Sequence, residues 1–264
     1  MLNDPKSNLV KGVAKLSKKD ARSLTGLFLL EGPQGLKEVL ERPHLIVELY
    51  ATPECVERYP ELFERAAKAR VELIEVSNAV LRVMCDTATP QGVVAVCKQV
   101  NVSIDAIVAA KPKLVAVLSQ VRDPGNAGTV LRAADAAGAD AVVFTNSSVD
   151  VYNPKVVRST TGSLFHLPFA TEVAVEDAIE KLREAGLQIF AADGGGELIP
   201  DVGAAALSKP TAWVFGNEAW GFEPETLELV DRVVGVPLYG PAESLNLATA
   251  ASVCLYASAF AQNS

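Results

Sequence analysis

Three separated segments hold residue types that could bind an anion, admit a flat ligand or hydrogen-bond a partner. The first, Ser119-Gln-Val-Arg-Asp-Pro-Gly-Asn-Ala-Gly-Thr-Val-Leu-Arg132, turns at Pro124-Gly125 and then opens a helix for which Asn126 is a good N-cap. Gly128 would allow close approach to the first helical turn, whose free N–H groups form a potential anion site. Arg132 follows one turn later, which puts a guanidinium beside that glycine; pairing with a surface acid such as Asp135 is the plainer alternative. In the second segment, Gly216-Asn-Glu-Ala-Trp-Gly-Phe222, glycines permit a flat ligand to approach the backbone and Glu218 could accept a partner's N–H. The third, Pro237-Leu-Tyr-Gly-Pro-Ala-Glu-Ser-Leu-Asn246, places Ser244 and Asn246, short hydrogen-bonding side chains that are caps by default, at the start of an Ala/Ser-rich helix. Asp193-Gly-Gly-Gly-Glu197 lacks the Lys-Ser/Thr that a phosphate loop requires. His166, in Leu164-Phe-His-Leu167, reads as a packed or hydrogen-bonding residue rather than a base.

Each segment follows a short apolar run. From Pro112 onward, Leu114–Leu118, Ala141–Phe144, Gln188–Ala191, Ala212–Phe215 and Val233–Val236 read as buried strands, separated by helical stretches at 126–137, 154–163, 175–185, 223–229 and 245–260. Near-continuous apolar strands alternating with helices predict a parallel sheet covered on both faces. Ligands in such sheets bind beyond the carboxyl ends of the strands, where all three segments fall. Residues 1–100 read as a smaller α/β domain with strands near 27–30, 45–49, 71–74 and 93–97 and helices near 34–41, 60–69 and 78–84. Residues 101–111 are expected to be a linker and residues 112–264 the second domain.

With 264 residues, 49% of them hydrophobic and 21% charged, the chain has an ordinary globular composition. Fibrous, disordered and low-complexity classes are excluded. The longest weakly polar run, 245–261, is broken by Asn246, Thr249, Ser252 and Ser258 and is too short for a membrane span. The four cysteines are scattered, with no C-x-x-C pair, and the N-terminus lacks the apolar core of a secretion signal. Reduced thiols in a cytoplasm are expected, and no metal site. The net charge of −8 conceals a gradient: residues 1–24 carry six Lys/Arg against two Asp. That basic lead can neutralise phosphates locally, because charges beyond about 10 Å are largely screened.

In order and spacing, N-x-G-x-x-x-R at Asn126–Arg132, G-N-E at Gly216–Glu218, and V-P-L then S-L-N at Val236–Asn246 resemble the three motifs of the SpoU family of RNA ribose 2′-O-methyltransferases, within the SPOUT superfamily. Lys155–Pro168 resembles that family's segment after the second strand, and residues 10–98, with Phe28-Leu-Leu-Glu-Gly32, more loosely resemble the ribosomal-protein-like substrate-binding domain of some members. The resemblance implies a C-terminal trefoil knot whose loops bind S-adenosylmethionine, with Gly216, Val236 and Leu245 as cofactor contacts. It implies Arg132 as the clamp on the ribose hydroxyl and adjacent phosphate, Asn126 fixing the arginine loop, Glu218 organising the second loop, and Ser244 with Asn246 at the ribose or the cofactor carboxylate. Arg122, Arg158, Lys15, Lys18, Lys19 and Arg22 are the candidate RNA contacts. Ribosomal RNA, in particular 23S, is the expected substrate and a homodimer the expected assembly. A transfer-RNA 2′-O-methyltransferase and a catalytically silent RNA-binding protein are the alternatives.

Overall fold

The computed structural model describes residues 1–264 and divides into two compact units, Met1–Val100 with Tyr152–Phe165, and Asn101–Val151 with His166–Ser264. No helix is long and apolar enough to cross a membrane.

The first unit is built on four strands, β1 (Leu27–Glu31), β2 (Ile46–Ala51), β3 (Leu73–Glu75) and β4 (Val93–Lys98), in the order β1-β4-β2-β3. The central β4 runs antiparallel to both neighbours, and β2 and β3 are parallel. Because β4 is covered on both faces, the five residues Val93–Cys97 are all buried, which is why the run has no polar alternation. The sequence reading missed the helix Asn8–Lys15. Its cap is Ser7, whose side chain accepts from Val10 N at 3.3 Å, and it buries Val10 and Val13, with Leu16 just beyond its end, against Leu29, Tyr50, Leu81 and Met84. Each of those three side chains contributes about 1.5–3 kcal/mol by burial. The basic lead is thus part of the core. The helices Lys19–Thr25 and Pro53–Arg58 were also unanticipated.

The helix Pro154–Thr160 belongs to this first unit, although it lies in sequence between two strands of the second. The Tyr152 ring packs tilted against Phe28, centroids 4.9 Å apart, and its hydroxyl accepts from Val100 N at 2.7 Å. Arg158 bonds Glu31 at 3.2 Å and Asp86 at 3.1 Å.

The second unit holds a six-stranded, wholly parallel sheet: β5 (Leu114–Leu118), β6 (Ala141–Thr145), β7 (Phe169–Val173), β8 (Gln188–Leu198), β9 (Thr211–Phe215) and β10 (Arg232–Gly235), ordered β10-β8-β9-β5-β6-β7. Every residue of β5, β6 and β9 is buried, as their apolar runs predict. β7 was not anticipated, because this edge strand, Phe-Ala-Thr-Glu-Val, buries only its first two residues. The expected linker is instead structured: Ser103 caps the helix Ile104–Ala109, which buries Ile104 and Ile107 against Ile179 and Leu182. Between β8 and β10 the register jumps from Val233↔Ala191 to Val234↔Glu197, so residues 192–196 leave the ladder. The last helix, Leu247–Gln262, packs along Pro124–Ala136, with Tyr256 Oη donating to Ala136 O at 3.1 Å.

Candidate active site

The carboxyl ends of β8, β9 and β10 surround a cleft of about 190 Å³, lined by Ala192, Asp193, Gly194, Asn217, Glu218, Val234, Val236, Leu238, Glu243, Ser244, Leu245, Leu247 and Ala250. Three of these side chains are carboxylates and none is Lys or Arg, while Val234, Val236, Leu238, Leu245 and Leu247 supply apolar wall. This donor set suits a cationic ligand with an apolar ring system.

Side-chain hydrogen bonds tie the three segments together. Glu218 accepts from Arg122 N at 3.3 Å, Asp123 N at 3.1 Å and Asn126 Nδ2 at 3.2 Å. Asn246 Nδ2 donates to Asn126 Oδ1 at 3.0 Å, and Asn246 Oδ1 accepts from Ala248 N at 2.9 Å and Thr249 N at 3.4 Å, capping the last helix. Asn217, buried, donates to Gln120 O at 2.8 Å and closes its own turn through the pair Asn217 N→Gly221 O, 2.7 Å, and Gly221 N→Asn217 O, 3.0 Å. Gly216 is required by that turn: a Cβ there would stand 2.5 Å from Gly221 O.

Several expectations need correction. The helix N-cap is Asp123, whose carboxylate accepts from Asn126 N at 2.7 Å; Asn126 lies within the first turn, since the helix begins at Pro124. With Asp123 and Glu218 both accepting from N–H groups there, the proposed anion site is already filled by protein carboxylates. Glu218 therefore organises the arginine segment, not only its own loop. Gly128 is buried and Arg132 exposed, so they do not form one shared outward surface. Arg22 is only 2% exposed and donates through Nη1 to Leu16 O at 2.8 Å, so it holds the chain together and does not face RNA. Arg158 is engaged by two carboxylates.

Of the other expected residues, Val236, Ser244 and Leu245 line the cleft, and Gly216, next to the lining residue Asn217, does not. Lys15, Lys18 and Lys19 are exposed. Arg132 is exposed, does not line the cleft, and forms no hydrogen bond or ion pair; Asp135 bonds His166 Nδ1 instead, at 2.7 Å.

The sequence reading missed Asp193 and Gly194 as cleft residues. Their sequence signal is an acid followed by three glycines after an apolar run, a pattern that fits no phosphate loop. The glycines serve close packing: a Cβ at Gly196 would lie 2.4 Å from Val233 O. Asn217 and Glu243 were also overlooked as lining residues.

Comparison with known proteins agrees with this architecture. Residues 113–256 match the model of the SpoU rRNA Methylase family, and residues 7–95 that of the MRM3-like substrate binding domain. The chain is 33% identical over 259 residues to the 23S rRNA (guanosine(2553)-2′-O)-methyltransferase RlmP of Bacillus subtilis, covering 97% of each. It is 32% identical over 250 residues to the 23S rRNA (uridine(2479)-2′-O)-methyltransferase of Streptomyces viridochromogenes, covering 92% of this chain and 86% of the relative. Among solved structures, the AdoMet-bound rRNA methyltransferase of Sinorhizobium meliloti superposes with a TM-score of 0.84 at 28% identity, over 97% of this chain and 96% of that one. The SpoU methyltransferase AviRb of S. viridochromogenes in complex with AdoMet gives 0.82 at 29%, over 96% and 98%. Three motifs in order, joined by hydrogen bonds at one cleft and matched along nearly the whole chain, establish that this protein belongs to the SpoU rRNA methylase family.

Proposed function

We propose that the protein is an S-adenosylmethionine-dependent 2′-O-ribose methyltransferase acting on ribosomal RNA, 23S in particular. The observation that carries this reading is the Glu218–Asn126–Asn246 network, which fixes the motif segments around a cleft lined by Asp193, Glu218 and Glu243. The cleft's lining fits the cofactor chemically: Asp193, Glu218 and Glu243 could offset its positive charges, and Val236, Leu238 and Leu245 could pack against its apolar parts. When bound, it supplies an electrophilic methyl group.

The chain's own residues do the rest. A ribose 2′-hydroxyl is a weak acid and must be oriented toward the methyl carbon; correct positioning is worth about 7–11 kcal/mol of barrier. Arg132, exposed and unengaged, is available to clamp the hydroxyl and its neighbouring phosphate through a rigid fork of donors. A guanidinium, with a pKa above about 12, holds its proton and orients rather than deprotonates. Ser244, on the cleft wall, is placed to hold the ribose or the cofactor's carboxylate, and Asn246 acts through Asn126.

Residues 1–100 grip structured RNA in this reading, with the exposed Lys15, Lys18 and Lys19 meeting phosphate, and residues 112–264 carry out transfer. A homodimer completes the site, since Arg132 lies off its own cleft and the last helix leaves Val253 and Phe260 exposed at 40% and 68%. In this reading the segment from β10 to the last helix forms the trefoil knot that the motif resemblance implies. Four free cysteines suit a reducing cytoplasm. Incubation with labelled S-adenosylmethionine and unmodified 23S rRNA tests the proposal: label at a 2′-oxygen is expected, and bound cofactor without transfer would overturn it.

A further inference from the structure

Beside the cleft, but outside its lining, the Arg122 guanidinium lies over the Trp220 ring with its carbon 5.0 Å from the ring centroid. Trp220 is 51% exposed, whereas the other tryptophan, Trp213, is fully buried and donates to Ser258 Oγ at 2.9 Å. The guanidinium attracts and covers one face of the indole, and half of the side chain stays open to solvent.

Both partners are held before any ligand arrives. The backbone N of Arg122 is fixed by Glu218, and Trp220 sits in the turn closed by the Asn217–Gly221 pair and by Ala219 N donating to Asn217 Oδ1 at 2.8 Å. A pair held in this way spends little conformational entropy on binding. On a chain with net charge −8, it sets an exposed cation and an exposed π face side by side.

We propose that Trp220, backed by Arg122, is a stacking platform for an unpaired nucleobase of the RNA substrate, which it holds next to the reacting nucleotide. Any base offers a π face to the indole, and the guanidinium adds attraction to the base plane and to a flanking phosphate. The platform therefore selects single-stranded over paired RNA without choosing among bases. The cofactor's adenine is not its occupant, because Trp220 is absent from the cleft wall. This inference rests on the proposed function and specifies which RNA conformation the enzyme takes.

The test uses the full chain. A single-stranded oligoadenylate is expected to quench part of the wild-type tryptophan emission and none of that of Trp220→Phe, in which only buried Trp213 remains; duplex RNA of equal length should quench neither. Trp220→Ala should raise KM for 23S rRNA by about 5- to 10-fold with kcat and S-adenosylmethionine affinity unchanged, and Trp220→Phe should restore most of the loss. Unquenched emission with the oligonucleotide bound, an unchanged KM in the alanine variant, or a fall in cofactor affinity would each overturn the platform. Wild-type protein that methylates no ribosomal RNA would overturn the proposed function instead, and the quenching result then judges the platform separately.

Discussion

Asn246 donates its side-chain amide to the side-chain carbonyl of Asn126 at 3.0 Å, across 120 positions of sequence. Asn126 passes the link on to Glu218, so one asparagine joins the motif segments that follow β5, β9 and β10. Glu218→Gln should disrupt this relay, because its amide nitrogen, in either orientation, would face a backbone N–H, that of Arg122 or that of Asp123, in place of an acceptor. Methyl transfer is expected to fall by about tenfold or more, consistent with a loss of about 1–3 kcal/mol per unsatisfied group. Asn126→Ala should do the same. The double variant should be little worse than either single one, since both break one network; additive losses in single-turnover assays would show the residues act separately.

Arg132→Ala tests the clamp. The side chain is exposed and pairs with nothing in the chain, so the melting temperature should barely change. Methyl transfer should be abolished and S-adenosylmethionine affinity by calorimetry kept. Arg132→Lys should recover little, since an ammonium lacks the planar fork. Lost cofactor affinity would contradict the role.

Glycines 216 and 196 should not tolerate alanine. Their Cβ atoms would lie 2.5 Å from Gly221 O and 2.4 Å from Val233 O, and both obstacles are backbone. Gly216→Ala should open the Asn217–Gly221 turn and weaken cofactor binding by about tenfold, at a cost within the 1–3 kcal/mol typical of overpacking. Gly196→Ala should lower the melting temperature, because the shift it forces falls on the β8–β10 ladder. Calorimetry and thermal melts check both.

The cysteines should be chemically quiet. Burial, with the Glu31 carboxylate adding to it, pushes the Cys85 thiol up to about 12, and burial pushes Cys254 up to about 12 as well. Cys55 and Cys97 are raised by burial also. Thiolate is the reactive form, so at pH 8 all four remain protonated in the native state. Titration with a disulfide dye should show no fast-reacting thiol in native protein and four after denaturation.

The basic lead calls for charge substitution, not deletion, because removing residues 1–20 would strip Val10, Val13 and Leu16 from the core. Replacing Lys15, Lys18 and Lys19 with Gln should preserve the fold, weaken RNA binding and flatten its salt dependence, by about 0.7–0.9 in log–log slope per lost phosphate contact. Arg22→Ala, by contrast, should destabilise by about 1–3 kcal/mol, since it removes the donor to Leu16 O. An unchanged salt slope in the triple variant would remove the lysines from the RNA face.

Much of this was legible in the sequence. The strands β5, β6 and β9 are continuous apolar runs, and a strand buried on both faces has no other way to read. The three motif segments stood out because glycine, asparagine and arginine follow such runs. What stayed hidden had physical reasons. β7 is an edge strand with three residues partly or fully exposed, so its pattern fades. The missed short helices of the first unit bury one or two side chains each, below what periodicity reveals. Asp123, not Asn126, caps the arginine helix, because the turn at Pro124-Gly125 already belongs to it. The side chains that Glu218 and Asn126 would meet lie about a hundred residues away, and spacing carries no trace of such a partner.

The excursion of Tyr152–Phe165 into the first unit bears on how separable the halves are. A gene fragment ending at Val100 would omit one of that unit's own helices, along with the aromatic partner of Phe28 and the cation that neutralises Glu31. The complementary fragment would carry that helix with its Val156 and Val157 facing water. The first unit is therefore not one contiguous stretch of the chain. Exchanging it between enzymes would mean transplanting two stretches of chain together.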